Sequence, residues 1–163
     1  MSVQPVLING YWRSSQGASK TFAACNPATK EDFPDQYPYS PWEEIDEAIT
    51  AAAEASLQMI GWPGERFARF LEAYAARIEA RETELATTAN LETAYPIVPW
   101  LKDVELPRTV NQLRQAADAA REGSWAHCTI DTGASIRSMY GPLGPVCVFG
   151  PSNFPYASNG VAG

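Results

Sequence analysis

Residues 141–160 read GPLGPVCVFGPSNFPYASNG and place Asn153 between Pro151 and Pro155. The two prolines fix their own φ and push Gly150 and Phe154 toward extended conformations, so the loop that carries this carboxamide has few alternatives. A carboxamide so held can cap a helix or donate to an anion. Capping is the commoner use, and Pro155 near a first helical turn suits it. Other groups with chemical potential are fewer. His127 and Cys128 are adjacent, as a nucleophile and base would be, but neighbours on a strand point to opposite faces, so a packed or surface histidine is expected. Cys147 lies inside the apolar run PVCVFG and reads as a small buried hydrophobe. The three cysteines, Cys25, Cys128 and Cys147, form no C-x-x-C pair, so neither a disulfide framework nor a zinc site is indicated and no metal is expected. Glu92 reads as a carboxylate on a helix surface or interface.

These residues need elements to hold them. VLINGYW alternates around Asn9-Gly10, which favours the positive-φ turn of a tight hairpin. A turn at Asn26-Pro27 and an irregular proline-rich connection as far as Pro41 follow. Ser40-Pro41-Trp42-Glu43 fits a capping box, and Ile45, Ala48, Ile49, Ala52, Ala55 and Met59 recur at helical spacing until Gly61-Trp62-Pro63. In a second helix, Phe67, Phe70, Leu71, Tyr74, Ile78 and Leu85 form the packing face. A third carries Val110, Leu113, Ala117 and Ala120 to Gly123, with its regular part expected to begin near Arg108 because Pro107 disturbs the entrance. CTID and SIRSMY then alternate like a half-exposed ribbon, whereas PVCVFG is apolar almost throughout, as a strand buried on both faces of a parallel sheet would be. The expected divisions are 1–123 (hairpin and helices), 124–144 (ribbon) and 145–163 (a sheet begun and not finished).

With 163 residues, 45% of them hydrophobic, the chain can bury a core. Its net charge of −7 opposes binding to nucleic acid or to an anionic membrane surface, so neither partner is expected. A basic leader is missing from residues 1–15, and no apolar run approaches the roughly 18 residues of a membrane span, so a cytoplasmic location is expected.

Taken in order, LINGYW, CNPATKE, ERFARFLEAYAARIEAR, LETAYP, QLRQAADAAREGSW and PLGPVCVFGPSNFP resemble the N-terminal third of aldehyde dehydrogenases. The S-N-F-P form is most similar to the NADP-preferring bacterial branch that includes 2,5-dioxovalerate (α-ketoglutaric semialdehyde) dehydrogenases. The resemblance implies an α/β fold, a truncated aldehyde dehydrogenase-like fold of N-terminal helices and β-ribbon plus only the first strand of the dinucleotide-binding sheet. It also implies that Asn153 donates its side-chain N–H to the oxyanion formed as a thiolate attacks an aldehyde, while Phe149, Gly150, Pro151 and Ser152 line the nicotinamide side of the cofactor cleft. By the same resemblance NADP or NAD serves the full-length parent, with none expected to bind this chain tightly. The nucleophilic cysteine and general-base glutamate match no residue here, so the chain by itself is expected to be inactive. Its expected partners are a second copy of itself or the missing C-terminal part of the same enzyme. The alternative is a non-catalytic self-association module derived from the family.

Overall fold

The computed structural model describes residues 3–159. They form two units, Met1–Ile60 with Thr88–Tyr95, and Gly61–Thr87 with Pro96–Gly163.

The first unit opens with the expected hairpin. Asn9 and Gly10 take positive φ values of 51° and 81°, so the turn twists with its strands, and β1 (Val6–Ile8) pairs antiparallel with β2 (Tyr11–Arg13). A second antiparallel ribbon joins β3 (Thr21–Asn26) to β4 (Glu31–Pro38). Most of the stretch expected to be irregular is therefore strand. A two-stranded ribbon has open edges, and there prolines such as Pro34 and Pro38 are tolerated. The turn is held by Asn26, whose Oδ1 accepts the N–H of Ala28 at 2.9 Å. Phe22 packs against Tyr37 and Tyr39 at ring separations of 5.6 and 5.2 Å.

Helix α1 (Trp42–Met59) starts with Pro41 at its cap and no side-chain capping bond, so the capping box is not formed. The glutamate that reaches back is Glu44, one residue later. Its buried carboxylate accepts from Ser15 Oγ at 2.6 Å and from the N–H of Gln16 at 3.1 Å, with Arg13 4.0 Å away. Ser40 also hydrogen-bonds Glu44, and these hydroxyl bonds, Ser15 first, hold its carboxyl below the usual range. The apolar stripe read at helical spacing lies uncovered at Ile45 and Ile49, which are both exposed.

In the second unit, α2 (Gly64–Ala80) and α4 (Leu106–Glu122) pack together. Ala68, Ala75 and Ile78 of α2 and Leu106, Val110, Leu113 and Ala117 of α4 are buried; small residues let the two backbones approach. Charge lines this seam. Arg121 reaches Glu65 and Glu72, each at 2.7 Å, and Arg114 reaches Glu79 at 2.7 Å. Phe70 and Tyr74, expected in the packing face, are exposed. The continuous helix expected through Leu85 is broken at Arg81 (φ −113°, ψ 16°), after which α3 (Glu82–Thr93) begins. A segment kinked at Val98 (φ −118°, ψ 134°), Ile97–Glu105, leads into α4, which starts at Leu106 rather than near Arg108 because Pro107 sits in the first turn, where no N–H is required. Gly123 ends α4 with φ 70°.

The expected ribbon is present. Strands β5 (Thr129–Asp131) and β6 (Ile136–Ser138) are antiparallel, and the N–H of Tyr140 donates to the carbonyl of Ala126 at 2.8 Å to close its base. Pro145–Gly150, in contrast, is not a strand among the described residues, and Cys147 within it is exposed rather than buried. A strand exists only with ladder partners, and the described residues supply none for this run.

Candidate functional site

Asn153 lies in a series of turns over residues 152–159. It caps no helix among the described residues. Pro151, Ser152 and Asn153 are exposed, and so are Phe149 and Gly150 before them. Phe149 is 94% exposed, so its ring lies open beside the turn. The five residues singled out in the sequence are thus consecutive and exposed in the second unit.

The residues that follow are anchored firmly. The Phe154 ring lies 5.9 Å from the ring of Trp100 and 5.4 Å from the guanidinium carbon of Arg108. Glu105 is fully buried, and its Oε1 accepts the backbone N–H groups of Tyr156 at 3.1 Å and Ala157 at 3.0 Å. Tyr156 also donates its hydroxyl to the carbonyl of Leu85 at 2.7 Å. Glu105 is steadied from its own helix, because Thr109 Oγ1 donates to its carbonyl at 2.8 Å. The turn is tied to itself as well. Asn159 Nδ2 donates to the carbonyl of Pro155 at 2.7 Å, and a β-carbon at Gly150 would lie 1.3 Å from Asn159 Oδ1. A larger residue at position 150 would require the Asn159 side chain to move.

Sequence reasoning found the turn and missed what holds it. The signal was present: Leu101, Glu105, Thr109, Leu113 and Ala117 recur every four residues on one helical face, and Glu105 is an acidic residue on an otherwise buried stripe. Such a carboxylate must be hydrogen-bonded to remain there.

The other candidates do not assemble. His127 packs edge-on to Tyr140, with ring centroids 5.6 Å apart, rather than serving Cys128. Cys25, Cys128 and Cys147 are free, exposed thiols. No cluster of metal ligands occurs among the described residues, and no helix there is long and apolar enough to cross a membrane. Glu92 is exposed on α3, as expected.

Helices followed by a ribbon and a Pro-Ser-Asn-Phe-Pro turn anchored on Glu105 place the chain among mixed α/β proteins. The aldehyde dehydrogenase family profile matches residues 12–161, and the chain belongs to that family. The alpha-ketoglutaric semialdehyde dehydrogenase of Acinetobacter baylyi is 33% identical over 130 residues, which cover 74% of this chain and 24% of that enzyme. The chain therefore spans about a quarter of the length of this curated relative. Among solved structures, aldehyde dehydrogenase 21 from Physcomitrella patens, in complex with the reaction product succinate, superposes with a TM-score of 0.77 at 23% identity, covering 96% of this chain and 33% of that one. Aldehyde dehydrogenase C from Pseudomonas syringae, a mutant complexed with NAD+ and octanal, gives a TM-score of 0.70 at 25% identity over 80% of this chain and 26% of that one. The fold is thus a partial aldehyde dehydrogenase fold, as the sequence resemblance implied.

Proposed function

We propose that this chain is the N-terminal part of an NAD(P)-dependent aldehyde dehydrogenase that converts an aldehyde, in particular a semialdehyde acid, to the carboxylic acid. The observation that carries this reading is the exposed carboxamide of Asn153 on a turn clamped from Trp100, Glu105 and Arg108. A donor whose support is fixed in advance need not reorganise when charge develops on a substrate oxygen. In the proposed reaction a thiolate from outside this chain adds to the aldehyde carbon, and the Asn153 side-chain N–H donates to the resulting oxyanion. A nicotinamide supplies the hydride acceptor when bound, and water completes the acid. Phe149 to Ser152 are assigned to the nicotinamide end of the dinucleotide, where the exposed Phe149 ring offers a planar group a surface. The semialdehyde preference rests on the Acinetobacter relative.

The purified chain alone should oxidise neither semialdehydes nor simple aldehydes with either cofactor, and should bind neither cofactor tightly. The nucleophile and base act as a unit whose loss the remaining groups do not recover. Expressed in frame with the coding sequence downstream of codon 163, it should turn over a semialdehyde acid. Turnover by the isolated chain after rigorous removal of host dehydrogenases, or an extended protein inactive on every aldehyde class, would overturn this reading.

A further inference from the structure

We propose that Glu105 is the positioning residue of Asn153: by holding the backbone N–H groups of Tyr156 and Ala157, its buried carboxylate sets where the Asn153 carboxamide points. This inference rests on the role proposed for Asn153. Pro155 separates Asn153 from the two bonded amides and has no N–H of its own, so the first backbone donors available after Asn153 on that side are those of Phe154 and Tyr156. Tyr156 and Ala157 both go to one oxygen, Glu105 Oε1, at 3.1 and 3.0 Å. Ala157 is 1% exposed, so in the folded chain its amide is shielded from bulk water and depends on the carboxylate. Trp100 and Arg108, which flank Phe154, come from the same continuous backbone as Glu105, and Thr109 fixes that backbone through the Glu105 carbonyl. Position and direction of the turn are therefore taken from one short stretch of backbone, residues 100–109, that leads into α4.

A merely structural glutamate would affect stability, while a positioning one affects kcat through Asn153. In the in-frame enzyme, Glu105→Ala should lower kcat by about 10²-fold, with KM and cofactor Kd unchanged, because a misplacement near 1 Å is costly at a reacting centre. The double variant Glu105→Ala/Asn153→Ala should be no slower than Asn153→Ala, since both changes remove the same contribution. Glu105→Gln keeps an acceptor for both amides and should retain most of kcat, whereas Glu105→Asp, one methylene short, should lose it. Leu113→Ala, a core change away from the turn, should lower Tm and leave kcat alone. Should Glu105→Ala fail to fold, the Gln and Asp pair decides, together with hydrogen exchange on the 163-residue chain, where the Tyr156 and Ala157 amides should be protected in the parent and exposed to exchange in Glu105→Asp. Equal kcat for the Gln and Asp variants, or additive losses in the double variant, would overturn the inference. Full kcat in Asn153→Ala would instead overturn the reading of Asn153 itself.

Discussion

Gly64 and Ala120 meet so closely that a β-carbon on Gly64 would lie 1.9 Å from the Ala120 carbonyl oxygen. The first turn of α2 thus lies directly on the last turns of α4, backbone against backbone. The atom in the way is main chain, so no rotamer change can make room.

Gly64→Ala should therefore destabilise the second unit despite the higher helix propensity of alanine. Separating the helices loosens the packing of Ala68, Val110 and Ala117 and stretches the Arg121–Glu65 pair. Overpacking of this kind costs about 1–3 kcal/mol, opposed by up to about 1 kcal/mol of propensity. Urea denaturation would show the midpoint moving down at constant slope; an unchanged or higher midpoint would mean that α2 can shift freely on α4.

Glu44 gives the first unit a component of acid sensitivity. Its folded-state carboxyl is held below 4.5, chiefly by the Ser15 hydroxyl, so the unfolded chain binds the proton more readily than the folded one. The stabilisation is fully present above pH 4.5 and is lost as pH falls through the lower folded value. Thermal melts between pH 7 and pH 3 should show Tm falling below that point, and Glu44→Gln should be less stable at pH 7 with a shallower fall. Parallel curves for the two proteins would remove Glu44 as a source of the pH dependence.

The parts of the fold that the sequence made legible are those governed by local chemistry. Asn9-Gly10 requires a particular turn, and Gly123 ends a helix, wherever they occur. The parts it hid depend on distant partners. Glu105 looks like any helix acid until the amides of Tyr156 and Ala157 come to it from the far end of the chain. β4 was concealed because Pro34 and Pro38 argue against a central strand but not against a ribbon edge. Pro145–Gly150 shows the converse: its composition suits a buried strand, yet composition cannot supply a ladder partner. Phe70 and Tyr74 follow the same logic, since helical spacing marks a shared face without saying that anything covers it.

In the in-frame enzyme, Asn153→Ala should lower kcat by about 10²-fold with little change in cofactor affinity, because a donor aimed at an oxyanion acts on charge present only in the transition state. Steady-state kinetics and cofactor titration check this together. An unchanged kcat accompanied by a lower Tm would assign the carboxamide to holding the turn instead.

The 163-residue chain should associate with itself. Ile130 and Ile136, on opposite faces of the β5–β6 ribbon, are 65% and 58% exposed, and Met139, Tyr140, Val146, Val148 and Phe149 are exposed as well. Among the described residues the outer edges of the ribbon are unpaired and can accept a strand from a second copy, and Pro145–Gly150 has the composition of a strand without a ladder. Apolar area removed from water contributes about 25 cal/mol per Å², so covering several hundred Å² is worth on the order of 10 kcal/mol, comparable with the stability of a whole domain. Light scattering at low micromolar concentration should report a dimer or larger species, and the C-terminal part of the enzyme, supplied separately, should compete for the same surface. Replacing Ile130 and Ile136 with lysine should return the chain to a monomer, because charge on a ribbon disfavours edge pairing. A monodisperse, cooperatively melting monomer in the unsubstituted chain would show that these faces are stable in water without a partner.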